Sequence, residues 1–342
     1  MRIPNFFIVG APKCGTTSLC HYLGQHPEVF IPPAKEIHYF GRDLTGNKKA
    51  KTEDEYLSFF QNRSEKMCGE GSTWYLFSKQ ASREISQFNS NSKIIVMLRE
   101  PVSLLHSLHS QRLVNGSSEN IFDFQEALEA EGDRRNGKRM PNKCMRPEGL
   151  FYSDVVKFAE QIERYFEVFG RDRVRVIIFD DFKANTAKVY QQTLEFLGVS
   201  ANFHPNFTKM NANKQVRSAA LQRFLRFPPS CLERLGRSVP LCPKLKEQWW
   251  MQFSQTARAW NTYAAPRSPL DPELHRSLQQ KFAPEVERLS DLLQRDLTYW
   301  SREMPVLPAP VPSAVPLPRL TGSLWQNWMH EPIFAYLNRE YL

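Results

Sequence analysis

The stretch Phe6-Phe7-Ile8-Val9-Gly10-Ala11-Pro12-Lys13-Cys14-Gly15-Thr16-Thr17-Ser18 begins as an apolar strand. It passes through a small-residue loop with one lysine and ends in hydroxyls that open a helix. A strand, loop and helix of this composition cradle phosphate. Glycine lets backbone N–H groups approach an anion closely, the helix opening near Thr16 adds the positive end of its dipole, and Lys13 adds a mobile charge. Gly10 and Gly15 are spaced as in nucleotide-triphosphatase loops, but the lysine expected directly before the hydroxyl pair is missing. Thr16 stands there, and the loop's lysine lies further back at Lys13, which disfavours an ordinary kinase or ATPase.

Around this stretch the pattern is that of an α/β chain. Phe6–Val9, Lys93–Leu98 and Val174–Phe179 are short apolar runs rich in β-branched residues, predicted as buried strands. Helical spacing of apolar residues separates them, over Ser153–Phe169, Val189–Leu197 and Leu274–Leu293. Strands alternating with helices predict a mainly parallel central sheet flanked by helices, a P-loop-like three-layer sandwich.

Two further segments carry chemistry. The strand Lys93–Leu98 runs into Arg99-Glu100-Pro101, and Ser107 follows on a helical pattern. Ligands of open α/β sheets bind at the carboxyl ends of the strands, so Arg99 falls on the same rim as Lys13. Arginine offers a planar fork for phosphate, and a serine hydroxyl adds a donor. Between the two loops lies Lys35-Glu36-Ile37-His38-Tyr39-Phe40. In an extended segment Glu36 and His38 point to one side, so a carboxylate and an imidazole can meet one substrate hydroxyl as a general base.

Together these segments resemble sulfotransferases that use 3′-phosphoadenosine 5′-phosphosulfate (PAPS), both the bacterial and the heparan-sulfotransferase-like kinds. Pro-Lys-x-Gly-Thr-Thr-Ser-Leu after the first strand is similar to their 5′-phosphosulfate loop, and Arg99 and Ser107 keep the interval of their 3′-phosphate ligands. Glu-x-His-Tyr-Phe at Glu36–Phe40 matches their base segment. The resemblance implies that Lys13, Gly15, Thr16, Thr17 and Ser18 hold the donor, that Glu36 is the base with His38 as companion, and that no metal is used. It extends through Gly149-Leu150-Phe151, Phe179-Asp180-Asp181-Phe182 and a late basic loop from Asn211 to Arg217-Ser218, with Arg217 as a ligand of the 3′-phosphate. Leu289–Trp300 resembles the common ending of bacterial members, so the likeness covers roughly residues 3–300. The chain departs from many relatives at Leu104 and His109, where they carry arginine and tyrosine. It also departs at Gly71, where the glycosaminoglycan enzymes carry lysine, which argues against a heparan-like polymer as acceptor.

The implied reaction moves a sulfuryl group from PAPS to a hydroxyl of a small metabolite, lipid or carbohydrate and releases adenosine 3′,5′-bisphosphate. One alternative is a P-loop kinase that uses Asp180-Asp181 for metal. Another is a basic domain binding nucleic acid or an acidic partner, suggested by 45 Lys+Arg against 36 Asp+Glu, a net charge of +9. Those basic residues are scattered rather than striped. The length of 342 residues and a hydrophobic content of 41% suffice for a sizeable core. No run approaches the ~20 apolar residues of a membrane span. Cys14, Cys20, Cys68, Cys144, Cys231 and Cys242 include no Cys-x-x-Cys pair, which suits reduced thiols in a cytoplasm. The insertion 115–147, with Arg134, Arg135, Lys138, Arg139, Lys143 and Arg146, reads as a cover for an anionic acceptor or as a solvated loop. The expected domains are a sulfotransferase domain over 1–302, a proline-rich linker over 303–322 and an aromatic-rich segment over 323–342. That last segment packs on its own domain or mediates a partner or homo-oligomer contact.

Overall fold

The first strand, β1 (Phe6–Gly10), is buried along its whole length and occupies the centre of a five-stranded sheet ordered β2-β3-β1-β4-β5. Its partners are β2 (Val29–Phe30), β3 (Met67–Gly71), β4 (Lys93–Leu98) and β5 (Val174–Ile178), and every pairing is parallel. The computed structural model describes residues 3–302 except 47, 116–118, 142–143, 209–213, 227–253, 255, 266 and 268. Lys143, Asn211, Cys231, Cys242 and the stretches 303–322 and 323–342 lie outside the described residues.

A parallel sheet is covered on both faces, so its strands are apolar throughout rather than alternating. One helix pair consists of Thr16–Leu23 and Thr186–Leu197. Another consists of Ala81–Phe88 and Phe158–Phe169, with Pro272–Leu293 against the latter. Phe158–Phe169 buries Phe158, Ala159, Ile162, Tyr165 and Phe169, one stripe at helical spacing. The expected helix over Ser153–Phe169 is in fact two, Tyr152–Val155 and Phe158–Phe169.

Strands β2 and β3 escape the sequence reading. The run Met67-Cys68-Gly69-Glu70-Gly71 carries two glycines and a glutamate, residues depleted in strands, yet all five are buried. Gly69 is required by close packing, since a Cβ there would lie 2.5 Å from the Phe6 ring and backbone. A small antiparallel pair, β6 (Lys214–Val216) with β7 (Thr262–Ala264), was equally unforeseen.

Among the described residues of the basic insertion, several cations are already engaged. Arg134 and Glu119 form a fully buried pair, with contacts of 2.6 and 3.0 Å, and the Tyr152 hydroxyl donates to Glu119 at 2.7 Å. Arg135 pairs with Asp154 at 2.7 Å, Arg139 with Glu126, and Arg146 stacks over Trp74. Leu104 lies in the core, and His109 reaches the carbonyl of Ile121 at 2.9 Å, so both departures from the family pattern serve packing of this segment.

Removing one partner of a buried pair strands the other charge. Glu119→Ala is therefore expected to lower stability by about 3–5 kcal/mol, and Glu119→Ala with Arg134→Met to lower it by less, both read by urea denaturation. Arg134, the backbone of Ile121 and Tyr152 hold the Glu119 carboxyl below its usual value although burial opposes them. Its contribution is thus present above the unfolded carboxylate pKa and is lost as pH falls through the lower folded value.

Candidate active site

The carboxyl ends of β1, β3 and β4 open onto one rim, where the strand order reverses around β1. Beyond β1 the chain turns through Lys13, at φ 67°, and Gly15, at φ 89°, into the helix that begins at Thr16. Gly15 is needed twice over. Its left-handed backbone favours glycine, and an added Cβ would approach the Phe179 ring to 3.1 Å. The helix has no acidic residue in its first turn, so its N-terminus keeps its positive character toward an anion.

Four cations, Lys13, Arg99, Arg267 and Lys35, converge on this loop. Burial, then Arg267 and Arg99, push the Lys13 ammonium down to about 8. Burial and Arg99 push Arg267 down to about 10. Arg99 lies over the Phe179 ring at 5.0 Å. Among the described residues neither Lys13 nor Arg99 forms an ion pair with a carboxylate. Glu100, adjacent to Arg99, instead caps the following helix, accepting from the N–H groups of Val102 at 2.8 Å and Ser103 at 2.6 Å. Ser107 is buried, and Arg267 donates to its hydroxyl at 2.8 Å. A set of like charges at a helix N-terminus is costly until an anion joins it, which is the electrostatic form of a phosphate site.

Arg267 was missed from sequence because it lies far along the chain, in an irregular segment between β7 and the helix Pro272–Leu293. Only its proximity to Arg99 and Ser107 reveals it. Arg217 occupies a different place. Its guanidinium donates to the Trp260 carbonyl at 3.1 Å and lies over the Tyr263 ring, and no described contact joins it to Arg99 or Ser107.

The acid–base pair forms, but not by the expected extended alternation. Glu36 and His38 both have left-handed φ values, 60° and 56°, and Ile37 between them is fully buried. This kinked backbone brings His38 Nε2 to 3.1 Å from Glu36 Oε2. The segment after β3 completes the cradle, because Leu76 donates to the Val9 carbonyl and so passes Thr73 across the end of β1. There Thr73 N–H donates to Glu36 Oε2 at 3.0 Å and the Thr73 hydroxyl to Oε1 at 3.1 Å. Burial pushes the Glu36 carboxyl up, yet His38, Lys35 and the Thr73 N–H outweigh it and hold the group below its usual value. Behind it, the Ser72 hydroxyl accepts from the His38 N–H at 3.1 Å. Burial drives the neighbouring Glu70 carboxyl up to about 8. The two carboxyls of this wall are thus separated in function, one ionised and one protonated at neutral pH.

Lys35, adjacent to Glu36 in the chain, reaches into the loop that opens the first helix. Its Nζ donates to the hydroxyls of Thr16 at 3.1 Å and Thr17 at 2.8 Å, and lies 4.0 Å from Glu36 Oε1. Ser18 follows, half-buried, on the same helical turn. The two aspartates after β5 are already engaged. Asp180 accepts from Trp300 Nε1 at 2.9 Å and from the Tyr299 hydroxyl at 3.2 Å, while Arg295 grips both oxygens of Asp181. They are packing partners of the C-terminal helix region rather than a metal-binding strand end, which removes the basis of the kinase reading.

A family model described as "Sulfotransferase domain" matches residues 4–289. The chain is 27% identical over 213 residues to the bifunctional heparan sulfate N-deacetylase/N-sulfotransferase 3 of Mus musculus, covering 59% of this chain and 23% of that protein. It is 32% identical over 168 residues to the membrane-associated sulfotransferase kil1 of Dictyostelium discoideum, covering 47% of this chain and 34% of that one. The chain thus spans well under half the length of these curated relatives. Among the described residues no helix is long and apolar enough to cross a membrane. The solved sulfotransferase from Alicyclobacillus acidocaldarius superposes with a TM-score of 0.64 at 29% identity, covering 88% of this chain and all of that one. The Gly/Thr loop with Lys13 at the end of a central parallel strand, the Glu36–His38 pair beside it and these likenesses agree: the chain belongs to the sulfotransferase domain family, whose members transfer a sulfuryl group from PAPS.

Proposed function

We propose that the chain transfers the sulfuryl group of PAPS to a hydroxyl of a small metabolite, lipid or carbohydrate in the cytoplasm, with Glu36 as the base. The observation that carries this reading is the placement of Lys35, a single ammonium in contact with both the loop hydroxyls and the Glu36 carboxylate. An anion cradle and a base one ammonium apart suit a group transfer in line between them. Cys14 and Cys20 are buried free thiols, which supports the cytoplasmic assignment.

In this reading Gly15, Thr16, Thr17 and Ser18 hold the 5′-phosphate with backbone and hydroxyl donors. Arg99, Ser107 and Arg267 hold the 3′-phosphate, and Arg217 closes over the nucleotide from its own loop. Glu36 accepts the acceptor's proton as its oxygen bonds to sulfur, while Thr73 and His38 keep the carboxylate aimed and ionised. Lys13 neutralises the charge that grows on the leaving phosphate oxygen, the electrostatic role that cationic clamps play in phosphoryl transfer. The buried Tyr75 ring packs edge-on against His38 at 6.2 Å.

Glu36→Ala is expected to bind adenosine 3′,5′-bisphosphate as the wild type does, within a few-fold by titration calorimetry. Its transfer of labelled sulfate from PAPS to a panel of hydroxylated metabolites and sugars should fall by about 10²–10⁴. Unchanged transfer would remove Glu36 as the base.

Lys13 yields a pH prediction. Its ammonium is charged in the free protein below about 8, and an anionic ligand favours the charged form. Affinity for adenosine 3′,5′-bisphosphate should therefore stay level at lower pH and decline as pH rises through about 8, with proton uptake on binding in that range. Calorimetry in two buffers of different ionisation enthalpy measures the uptake. In Lys13→Ala both the uptake and the decline should shrink, from a lower starting affinity.

A further inference from the structure

We propose that Lys35 is a second catalytic cation, whose ammonium exchanges the Thr16 and Thr17 hydroxyls for oxygens of the transferring sulfuryl group when PAPS binds. The proposal rests on the donor assignment made above. Three observations carry it.

The first is where the ammonium sits. Lys35 Nζ spends its hydrogen bonds at 3.1 and 2.8 Å on hydroxyls at the mouth of the phosphate loop, both of which that loop offers to an anion. Hydroxyl oxygens are neutral acceptors. Oxygens of a bound phosphosulfate carry charge, and hydrogen bonds from an ammonium to charged oxygen are roughly twice as strong, so the exchange is downhill. The Thr16 and Thr17 protons can point at the same ligand before and after the exchange, since a hydroxyl that accepts from Lys35 still has its own proton to donate.

The second is how the side chain is guided there. Gly71 closes β3 beneath it. A Cβ at that position would meet Cys20 Sγ at 2.7 Å and Lys35 Cε at 3.2 Å, so the lysine stem fills the space that a side chain at 71 would need. Lys49 Nζ donates to the Lys35 carbonyl and fixes the start of that stem. The remaining freedom lies in the last carbons of the chain, enough to carry Nζ from one oxygen to its neighbour.

The third is the 4.0 Å contact between Nζ and Glu36 Oε1. In sulfuryl transfer the acceptor O–H proton passes to Glu36, the acceptor oxygen bonds to sulfur, and the bond from sulfur to the bridging oxygen breaks. Its electron pair leaves with the 5′-phosphate of adenosine 3′,5′-bisphosphate. Lys35 keeps its proton throughout. A cation placed between base and cradle lies along the sulfuryl group in flight, whereas Lys13 lies at the leaving end. The two lysines then act on different atoms, and this separates their tests.

Adenosine 3′,5′-bisphosphate has no sulfuryl group, so it measures the cradle without the atoms Lys35 is assigned to touch. Titration calorimetry with this product and with PAPS on wild type, Lys35→Met and Lys35→Arg reads the difference. Lys35→Met should hold the product within about threefold of wild type and lose PAPS affinity at least about tenfold, the loss of one charge-assisted hydrogen bond. Lys35→Arg should recover part of that loss. The enzyme-bound conversion of PAPS to product with water as acceptor, followed by chromatography, should slow by about 10²–10³ in Lys35→Met. Equal losses for both nucleotides would make Lys35 a loop strut and overturn the proposal, as would unchanged PAPS affinity. A wild type that binds neither nucleotide would overturn the donor assignment itself and this proposal with it.

Discussion

Burying β1 at the centre of an all-parallel sheet is the constraint on which the rest of the structure depends. A central parallel strand spends its backbone hydrogen bonds on both neighbours and its side chains on both helical layers. The chain can only turn away at its end, so the loop from Gly10 to Gly15 has to face the open rim. The segment after β3 crosses that rim through the hydrogen bond from Leu76 to Val9, and β4 delivers Arg99 from the other side. The loop at Lys13, Arg99 and Glu36 share one crevice because three parallel strands end there together.

The crevice is electrostatically unbalanced by construction. Lys13, Arg99, Arg267 and Lys35 gather where the helix opening at Thr16 already carries positive charge, and burial has pushed Lys13 and Arg267 down from their ordinary values. Other carboxylates are used elsewhere. Glu100 caps a helix, Asp180 and Asp181 anchor the region around Arg295–Trp300, and Glu119 is locked to Arg134. Glu36 lies 4.0 Å from the Lys35 ammonium and is held by Thr73 and His38. Glu70 lies on the same wall but burial keeps it protonated, so it stabilises the wall without competing for the cations.

Much of this was legible in residue order, because the information is local. The hydroxyls and glycines of the loop, the helical stripe of Phe158–Phe169 and the interval from Arg99 to Ser107 are each encoded within a few consecutive turns of chain. What escaped is non-local. Met67–Gly71 has the wrong residue types for a strand and becomes one because Gly69 alone fits against Phe6. Arg267 joins Ser107 from the far side of the sequence. The basic insertion reads as surface charge until Glu119 is seen buried against Arg134. The residues at 303–342 stay where the sequence reading left them, as a proline-rich stretch and an aromatic one.

The sequence by itself determined the parallel α/β frame and the Gly/Thr loop with Lys13 that follows its first strand, since each depends on residue types at short spacing, whereas Glu36 and His38 meet through two left-handed residues and not through the extended alternation their spacing suggested. Tertiary structure alone decided which cations gather at the loop, which carboxylates are spent on packing, and that Lys35 reaches both the Thr16 and Thr17 hydroxyls and Glu36. Those outcomes depend on distances between segments brought together by burial, and a distance of 3 or 4 Å between side chains far apart in the chain leaves no trace in their order.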